Sequence, residues 1–164
     1  MVFISRYISP LGGITLASDG EALTGLWFDG QKYFGDTLPD AYHEAECPVF
    51  GLAKRWLDTY FAGQQPDFTP PLSLEKATPF RRRVWELLKT IGYGQTVSYK
   101  ELAARLEKQS GKKVATQAVG GAVGHNPIAI VIPCHRVIGA NGDPTGYAGG
   151  LDKKIALLNI EDKK

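Results

Sequence analysis

The sequence predicts a mixed α/β (α+β) protein, in which a small antiparallel sheet with one helix precedes a mostly helical second half. Three patterns predict this class. Strand-like and turn-like stretches alternate over the first 28 residues, apolar residues recur at helical spacing from residue 49, and four prolines interrupt residues 64–79. With 43% hydrophobic and 22% charged residues, the composition is that of a globular protein. No apolar run reaches the roughly 20 residues of a membrane span, and the first ten residues lack a signal-peptide pattern.

Three strands are expected at the start of the chain. Residues 3–9, 13–18 and 22–28 are rich in β-branched and aromatic side chains. The sequences between them, Pro10-Leu11-Gly12 and Asp19-Gly20-Glu21, are favourable for turns. We therefore expect a three-stranded antiparallel meander, followed by a polar loop over residues 29–46.

A helix is predicted next, because Pro48 suits a helix start and apolar residues from Val49 to Phe61 follow helical spacing. Gly63 is a candidate C-cap. Residues 64–79, with their four prolines, resemble a linker. This pattern predicts two domains, 1–78 and 79–164.

The second half begins with a helix that Thr78 can cap and that extends to Ile91. Ser98 and Glu101 form a capping box in front of a second short helix. After a polar stretch over 107–113, residues 116–123 predict a third helix of small side chains, and the last two helices together resemble a helix-turn-helix. Residues 128–132 are predicted to be a buried extended segment, residues 139–150 a loop, and residues 151–158 a final helix.

The charge is distributed unevenly between the halves. Residues 1–78 contain five Lys/Arg and ten Asp/Glu, a net charge of −5. Residues 79–164 contain fourteen Lys/Arg and seven Asp/Glu, a net charge of +7. The two values add to the +2 of the whole chain. A basic half of this kind indicates a polyanionic partner. Two cysteines are too few for a disulfide framework, so we expect a cytoplasmic protein.

Cys134 is the candidate nucleophile, since Pro133 precedes it and His135 and Arg136 follow it. Nearby positive charge lowers a thiol pKa and favours the reactive thiolate. Because neighbours on an extended segment point to opposite faces, His135 is expected to reach Cys134 only through a water molecule.

Three chemistries compete for this thiol. A cysteine hydrolase would need an oxyanion hole, and the surrounding sequence carries no familiar hydrolase motif. A zinc site could combine His43, Cys47, Cys134 and His135, but no CxxC pair is present. The third possibility is a thiolate that accepts a group from a partner bound by the basic half.

The segment Pro133-Cys134-His135-Arg136-Val137 resembles the O6-alkylguanine-DNA alkyltransferases, also called methylated-DNA–protein-cysteine methyltransferases. Other segments look like family segments in the family's order: 80–88, Val97-Ser98-Tyr99, Ala118-Val119-Gly120-Gly121-Ala122, Asn126-Pro127, 130–137 and Gly146-Tyr147-Ala148-Gly149-Gly150. The resemblance covers essentially the whole C-terminal half. The N-terminal half is compatible with the family's ribonuclease-H-like domain.

This resemblance implies direct, stoichiometric and irreversible transfer of an alkyl group from O6-alkylguanine, and possibly from O4-alkylthymine, in double-stranded DNA. The damaged base is flipped out of the duplex, no cofactor is used, and the protein is expected to act as a monomer without a membrane or an obligate protein partner. The implied catalytic residues are Cys134 as the alkyl acceptor and His135 as the base that acts through a water. Glu161 would orient His135 and balance its charge, and Asn126 would hold the segment next to the site through backbone hydrogen bonds. The implied base-binding residues are Tyr99, Val137, Tyr147, Ala148 and Gly149, and the implied DNA-binding residues are Tyr99, Gln117, Ala118, Gly120, Gly121 and Arg136.

One position departs from the family pattern. Gln117 stands where most members carry an arginine that is inserted into the base stack, so weaker or differently anchored DNA binding is expected. Two other functions stay open at this point. One is a protein that recognises alkylated guanine without repairing it, and the other is a helix-turn-helix regulator with a sensor thiol.

Overall fold

The computed structural model describes residues 1–162, and within that range it contains a four-stranded sheet, a two-stranded sheet and five α-helices. The strands are β1 (Phe3–Ser9), β2 (Gly12–Ser18), β3 (Leu23–Phe28), β4 (His43–Glu44), β5 (Val97–Ser98) and β6 (Val137–Ile138). The helices are α1 (Pro48–Phe61), α2 (Pro79–Leu88), α3 (Tyr99–Ser110), α4 (Thr116–Gly124) and α5 (Leu151–Glu161). This arrangement confirms the predicted mixed class. None of these helices combines the length and apolar character of a membrane-spanning segment.

The first sheet has the strand order β3-β2-β1-β4. The predicted antiparallel meander is confirmed, but the expectation of a loop throughout 29–46 is wrong at His43 and Glu44. These two residues pair in parallel with β1, and the His43 amide donates to the Val2 carbonyl at 2.9 Å. Both are exposed and polar, so no burial pattern in the sequence could indicate this strand.

The outer edge of β3 connects the two halves of the chain. Leu23 pairs with Leu72 of the proline-rich stretch, and Leu26 pairs with Ile128 of the segment that leads to Cys134. A single buried apolar cluster includes side chains from both halves. The edge of the N-terminal sheet therefore holds the base of the segment that carries the thiol. The division at residues 78 and 79 stays a prediction, and the final two residues of the second predicted domain lie outside the described range.

The caps of the second half form as their sequence indicates. The Thr78 hydroxyl accepts from the Arg81 amide at 3.3 Å, and the Ser98 hydroxyl accepts from the Glu101 amide at 3.0 Å. Helix α3 extends further than expected, to Ser110, and it ends where Gly111 adopts a left-handed φ of 70°. Residues 111–115 then join α3 to α4, which gives the predicted pair of short helices.

Three local predictions around the thiol are wrong. Residues 128–132 are buried but not extended, because Ile130 has a φ of 69° and the Ile132 amide donates back to the Ile128 carbonyl at 3.0 Å. Residues Cys134–Arg136 form a single 3-10 turn instead of continuing a strand. Helix α5 continues past residue 158 to Glu161, which places this carboxylate on the buried face of the helix, with Lys154 and Leu157.

Candidate active site

Cys134 lies in a cavity of about 340 Å³ between helix α4 and the loop that precedes α5. Six of the residues implied by the resemblance line this cavity together: Tyr99, Gly120, Gly121, Cys134, Tyr147 and Ala148. The thiol residue itself is 5% exposed. The structure therefore places a thiol with little solvent exposure at the wall of a cavity that is large enough for a small ligand.

Asn126 holds the turn that presents Cys134. Its side-chain nitrogen donates to the Ile132 carbonyl at 2.7 Å, and its side-chain oxygen accepts from the Ile128 amide at 3.0 Å. The Ile132 carbonyl also accepts from the Cys134 amide at 2.8 Å, whereas the buried Ile128 amide depends on Asn126 for its partner. The positive φ of Ile130, which is costly for a β-branched residue, persists inside this bonded loop.

His135 points away from solvent and contacts Glu161. Its Nε2 atom lies 2.5 Å from Glu161 Oε2, and the imidazole is fully buried. The other ring nitrogen, Nδ1, has no hydrogen-bond partner within residues 1–162. We assign the proton to Nε2, because only that nitrogen faces a carboxylate. Nδ1 then keeps a lone pair that can accept a proton.

Glu161 accepts hydrogen bonds from three further groups. Arg136 donates from Nε to Oε1 at 2.8 Å and from Nη2 to Oε2 at 3.2 Å. Tyr60 donates from its hydroxyl to Oε2 at 2.7 Å, and the Gly94 amide donates to Oε1 at 3.2 Å. Burial opposes ionisation of Glu161, but the bonds from His135, Arg136 and Tyr60 outweigh it and lower the carboxyl pKa to about 2.

The position of Arg136 does not fit the expected contact with DNA. Its guanidinium is directed inward, where it pairs with Glu161 and donates from Nη1 to the Ile91 carbonyl at 2.6 Å. The residue is 9% exposed. Arg136 therefore stabilises the buried carboxylate instead of presenting a cation to solvent.

The pKa of the Cys134 thiol is raised, contrary to the expectation from its sequence neighbours. Burial is the largest cause, and it outweighs the lowering effects of the Asn126 amide, the Lys154 ammonium and the Tyr147 hydroxyl. The charge of Arg136 is directed to Glu161. Burial also lowers the pKa of His135, which keeps the imidazole neutral near pH 7. The resting pair is thus a thiol and a neutral base.

Lys154 is a buried cation that the sequence analysis missed. Its Nζ donates to the Val137 carbonyl at 2.6 Å and to the Gly146 carbonyl at 3.2 Å, and the residue is fully buried. It therefore ties the strand after Cys134 to the loop over the cavity. One lone pair of the Val137 carbonyl, which the resemblance assigned to base recognition, is already used by Lys154.

The N-terminal half also contributes to the cavity wall, a contact that no sequence pattern predicts. The Tyr33 ring stacks on His125 with centroids 3.8 Å apart, and the Lys32 amide donates to the Ala148 carbonyl at 3.0 Å. The further lining residues that were missed are Lys32, Tyr33, Val123, Gly124, His125 and Gly146. They come from a loop without strand or helix periodicity, from the end of α4 and, in the case of Gly146, from the loop that precedes α5.

Other residues implied by the resemblance lie on the exposed surface of α4 and beside Tyr147. Gln117, Ala118 and Gly121 are exposed on one helix, α4, which leaves that surface free to meet a partner. Gly149 lies so close to Tyr147 that an added Cβ would approach Tyr147 Cε2 to 2.8 Å, so this position needs glycine. The alternative of a zinc site finds no support, since residues 1–162 contain no group of three or more suitable ligands.

Two protein-family models match the chain. The model described as the 6-O-methylguanine DNA methyltransferase ribonuclease-like domain matches residues 2–74, and the model described as the DNA binding domain of the same protein matches residues 79–163. Together they cover nearly the whole sequence.

Curated relatives and solved structures agree with these models. A methylated-DNA–protein-cysteine methyltransferase of Mycobacterium tuberculosis is 46% identical over 100% of this chain and 94% of its own length. The protein of the same name from Methanosarcina acetivorans is 45% identical over 98% of each chain. A crystal structure of Mycobacterium tuberculosis OGT in complex with DNA superposes with a TM-score of 0.83 at 42% identity, and it covers 98% of this chain and 92% of that one.

Proposed function

The chain belongs to the 6-O-methylguanine DNA methyltransferase family, and from this membership we propose how its residues carry out direct repair of alkylated DNA. Cys134 accepts the alkyl group of an O6-alkylguanine that has been flipped out of the duplex. The observation that carries this assignment is a buried series that begins at Cys134 in the cavity wall, continues to the adjacent His135 and ends at Glu161. The two other functions considered, lesion recognition without repair and regulation through a sensor thiol, are not favoured by these relatives.

The transfer is a single displacement. His135 Nδ1 takes the thiol proton through a water, and the resulting imidazolium is stabilised by Glu161. The sulfur attacks the alkyl carbon, an S–C bond forms, and the C–O6 bond breaks with its electron pair left on the guanine. The guanine anion then takes up one proton from water, and the imidazolium returns the thiol proton to water, so that His135 is again neutral. This balance needs no cofactor.

The raised thiol pKa is compatible with this chemistry. A thiolate that forms only when the substrate fills the cavity is poorly solvated and has no competing contact with water. The product is a thioether, which no group in the site is placed to hydrolyse. Each molecule therefore acts once.

The wider assignments follow from the same proposal. Tyr147, Ala148 and Gly149 close over the flipped base, Tyr99 contacts the base and its phosphate, and helix α4 contacts DNA. We place the protein in the cytoplasm, since both cysteines are free thiols. We also propose that it acts as a monomer with two domains, 1–78 and 79–164.

The test is incubation of the protein with a duplex that contains O6-methylguanine, followed by mass spectrometry of its peptides. We expect one methyl group per molecule, located on the peptide that contains Cys134. Methylation at another residue would overturn the assignment of Cys134, and more than one turnover per molecule would overturn the irreversible step.

The variant Gln117→Arg is expected to bind duplex DNA about 5-fold more tightly at fixed salt. Arginine adds a cation and a planar group on the exposed face of α4, and a cation–π contact contributes roughly 1 kcal/mol. Titration of a fluorescent duplex measures the change, with Gln117→Lys as the control that adds charge without the planar group. Unchanged or weaker binding by the arginine variant would contradict the expectation.

A further inference from the structure

Tyr60 reaches the candidate active site from the other half of the chain. It lies on helix α1 of the N-terminal half, 101 positions before Glu161, yet its hydroxyl is 2.7 Å from Glu161 Oε2. The residue is fully buried. It is neither a wall of the cavity nor part of the series implied by the resemblance.

Neighbouring aromatic rings fix the direction of this hydroxyl. The Tyr60 ring stacks on Trp56 with centroids 5.4 Å apart and planes 7° apart, while Phe61 and Tyr93 meet it edge-on. The hydroxyl has one proton to donate. Its other neighbours, the Leu157 carbonyl and His135 Nε2, are both 3.4 Å away, so the nearer carboxylate receives the proton.

We infer that Tyr60 is a positioning residue for alkyl transfer, whose hydroxyl holds the Glu161 carboxylate where it accepts the Nε2 proton of His135. Held in this way, the imidazole keeps Nδ1, which has no other partner within residues 1–162, as the base for the neighbouring Cys134. The inference rests on the proposed function and extends it, because it gives the N-terminal half a defined part in the reaction.

The hydroxyl also moderates the basicity of Glu161. A carboxylate that loses one of its donors attracts the proton on His135 more strongly, which favours the imidazolium. The groups that face His135 are Glu161, Arg136, Lys154 and Tyr60, and the two cations oppose its protonation. Burial and the Glu161 charge raise the Tyr60 pKa, so the phenol stays a donor at every working pH.

The test is the pH dependence of single-turnover methyl transfer by the full chain and by Tyr60→Phe. The acidic limb of the profile, which reports protonation of His135, is expected to move upward by about 0.5–1 pH unit in the variant, and the plateau rate is expected to fall about 3- to 10-fold. Tyr93→Phe is the matched control. It removes a phenol from the same aromatic cluster, one whose hydroxyl lies 3.5 Å from the Ile160 carbonyl and does not bond the carboxylate.

A measurement on the unmodified protein keeps the inference testable if the variant fails to fold. The chain has three histidines, so 15N spectra of histidine-labelled protein can resolve His135. We expect the neutral Nε2–H tautomer, and the Nδ1–H tautomer would overturn the inference. An acidic limb in Tyr60→Phe that coincides with those of Tyr93→Phe and the unmodified protein would overturn it as well. Absence of transfer by the unmodified protein would instead overturn the proposed function.

Discussion

The variant Cys134→Ser is expected to transfer no detectable methyl group, with a rate reduced roughly 10⁴-fold or more, as for the loss of other enzymatic nucleophiles. Serine is almost the same size, so the tightly packed turn around residue 134 is retained. A neutral His135 can take a thiol proton, whereas a hydroxyl is a far weaker acid and a poorer nucleophile toward carbon. Mass spectrometry after incubation with a methylated duplex measures the loss.

The other free thiol supplies the control for this variant. Cys47 precedes α1 in the N-terminal half and does not line the cavity, so Cys47→Ser is expected to react at the unmodified rate. Duplex binding by Cys134→Ser is expected to stay within about 2-fold, since the exposed face of α4 is unchanged. A methylated Cys134→Ser protein, or an inactive Cys47→Ser protein, would show that the acceptor lies elsewhere.

The variant Glu161→Gln is expected to lower the free energy of unfolding by about 3–5 kcal/mol, because it leaves the Arg136 guanidinium buried without its counter-ion. The amide also directs a donor toward Tyr60, His135 or Arg136, all of which already donate to this position. Urea denaturation at pH 7 measures the change. Glu86→Gln, which breaks an exposed pair with Lys89, is the control and should cost less than about 1 kcal/mol.

The same carboxylate makes stability depend on pH. Folding lowers the Glu161 pKa from 4.5 to about 2, so its contribution is complete above about pH 5 and is lost as the pH falls from about 4.5 toward 2. Folding also lowers the pKa of His135, which adds a loss of stability below its unfolded value of 6.5. The difference in the free energy of unfolding between the unmodified protein and Glu161→Gln should therefore shrink as the pH falls. If the two proteins differed by the same free energy of unfolding at pH 7 and at pH 2.5, this explanation would be contradicted.

Much of the fold could be predicted from short-range patterns. The meander, the Pro48 and Pro79 helix starts and the caps at Thr78 and Ser98 depend on residues within a few positions of one another. β4 could not be predicted, because its two exposed residues pair with an edge some 40 positions away. The turn at Ile130 was also missed, since a run of β-branched residues favours extended backbone, whereas the Asn126 side chain and the bond from the Ile132 amide to the Ile128 carbonyl stabilise the turn.

The proposed nucleophile and the proposed base beside it could be predicted from the sequence, because a cysteine, a histidine and the segment around them are local features. Their pKa values and charge partners, by contrast, depend on the tertiary structure. It buries the thiol and raises its pKa, directs Arg136 to Glu161 instead of to solvent, and brings Tyr60 from a distant helix onto the same carboxylate. The physical reason is that burial and charge pairing depend on which remote elements pack together, and residues 101 positions apart leave no local pattern of that contact.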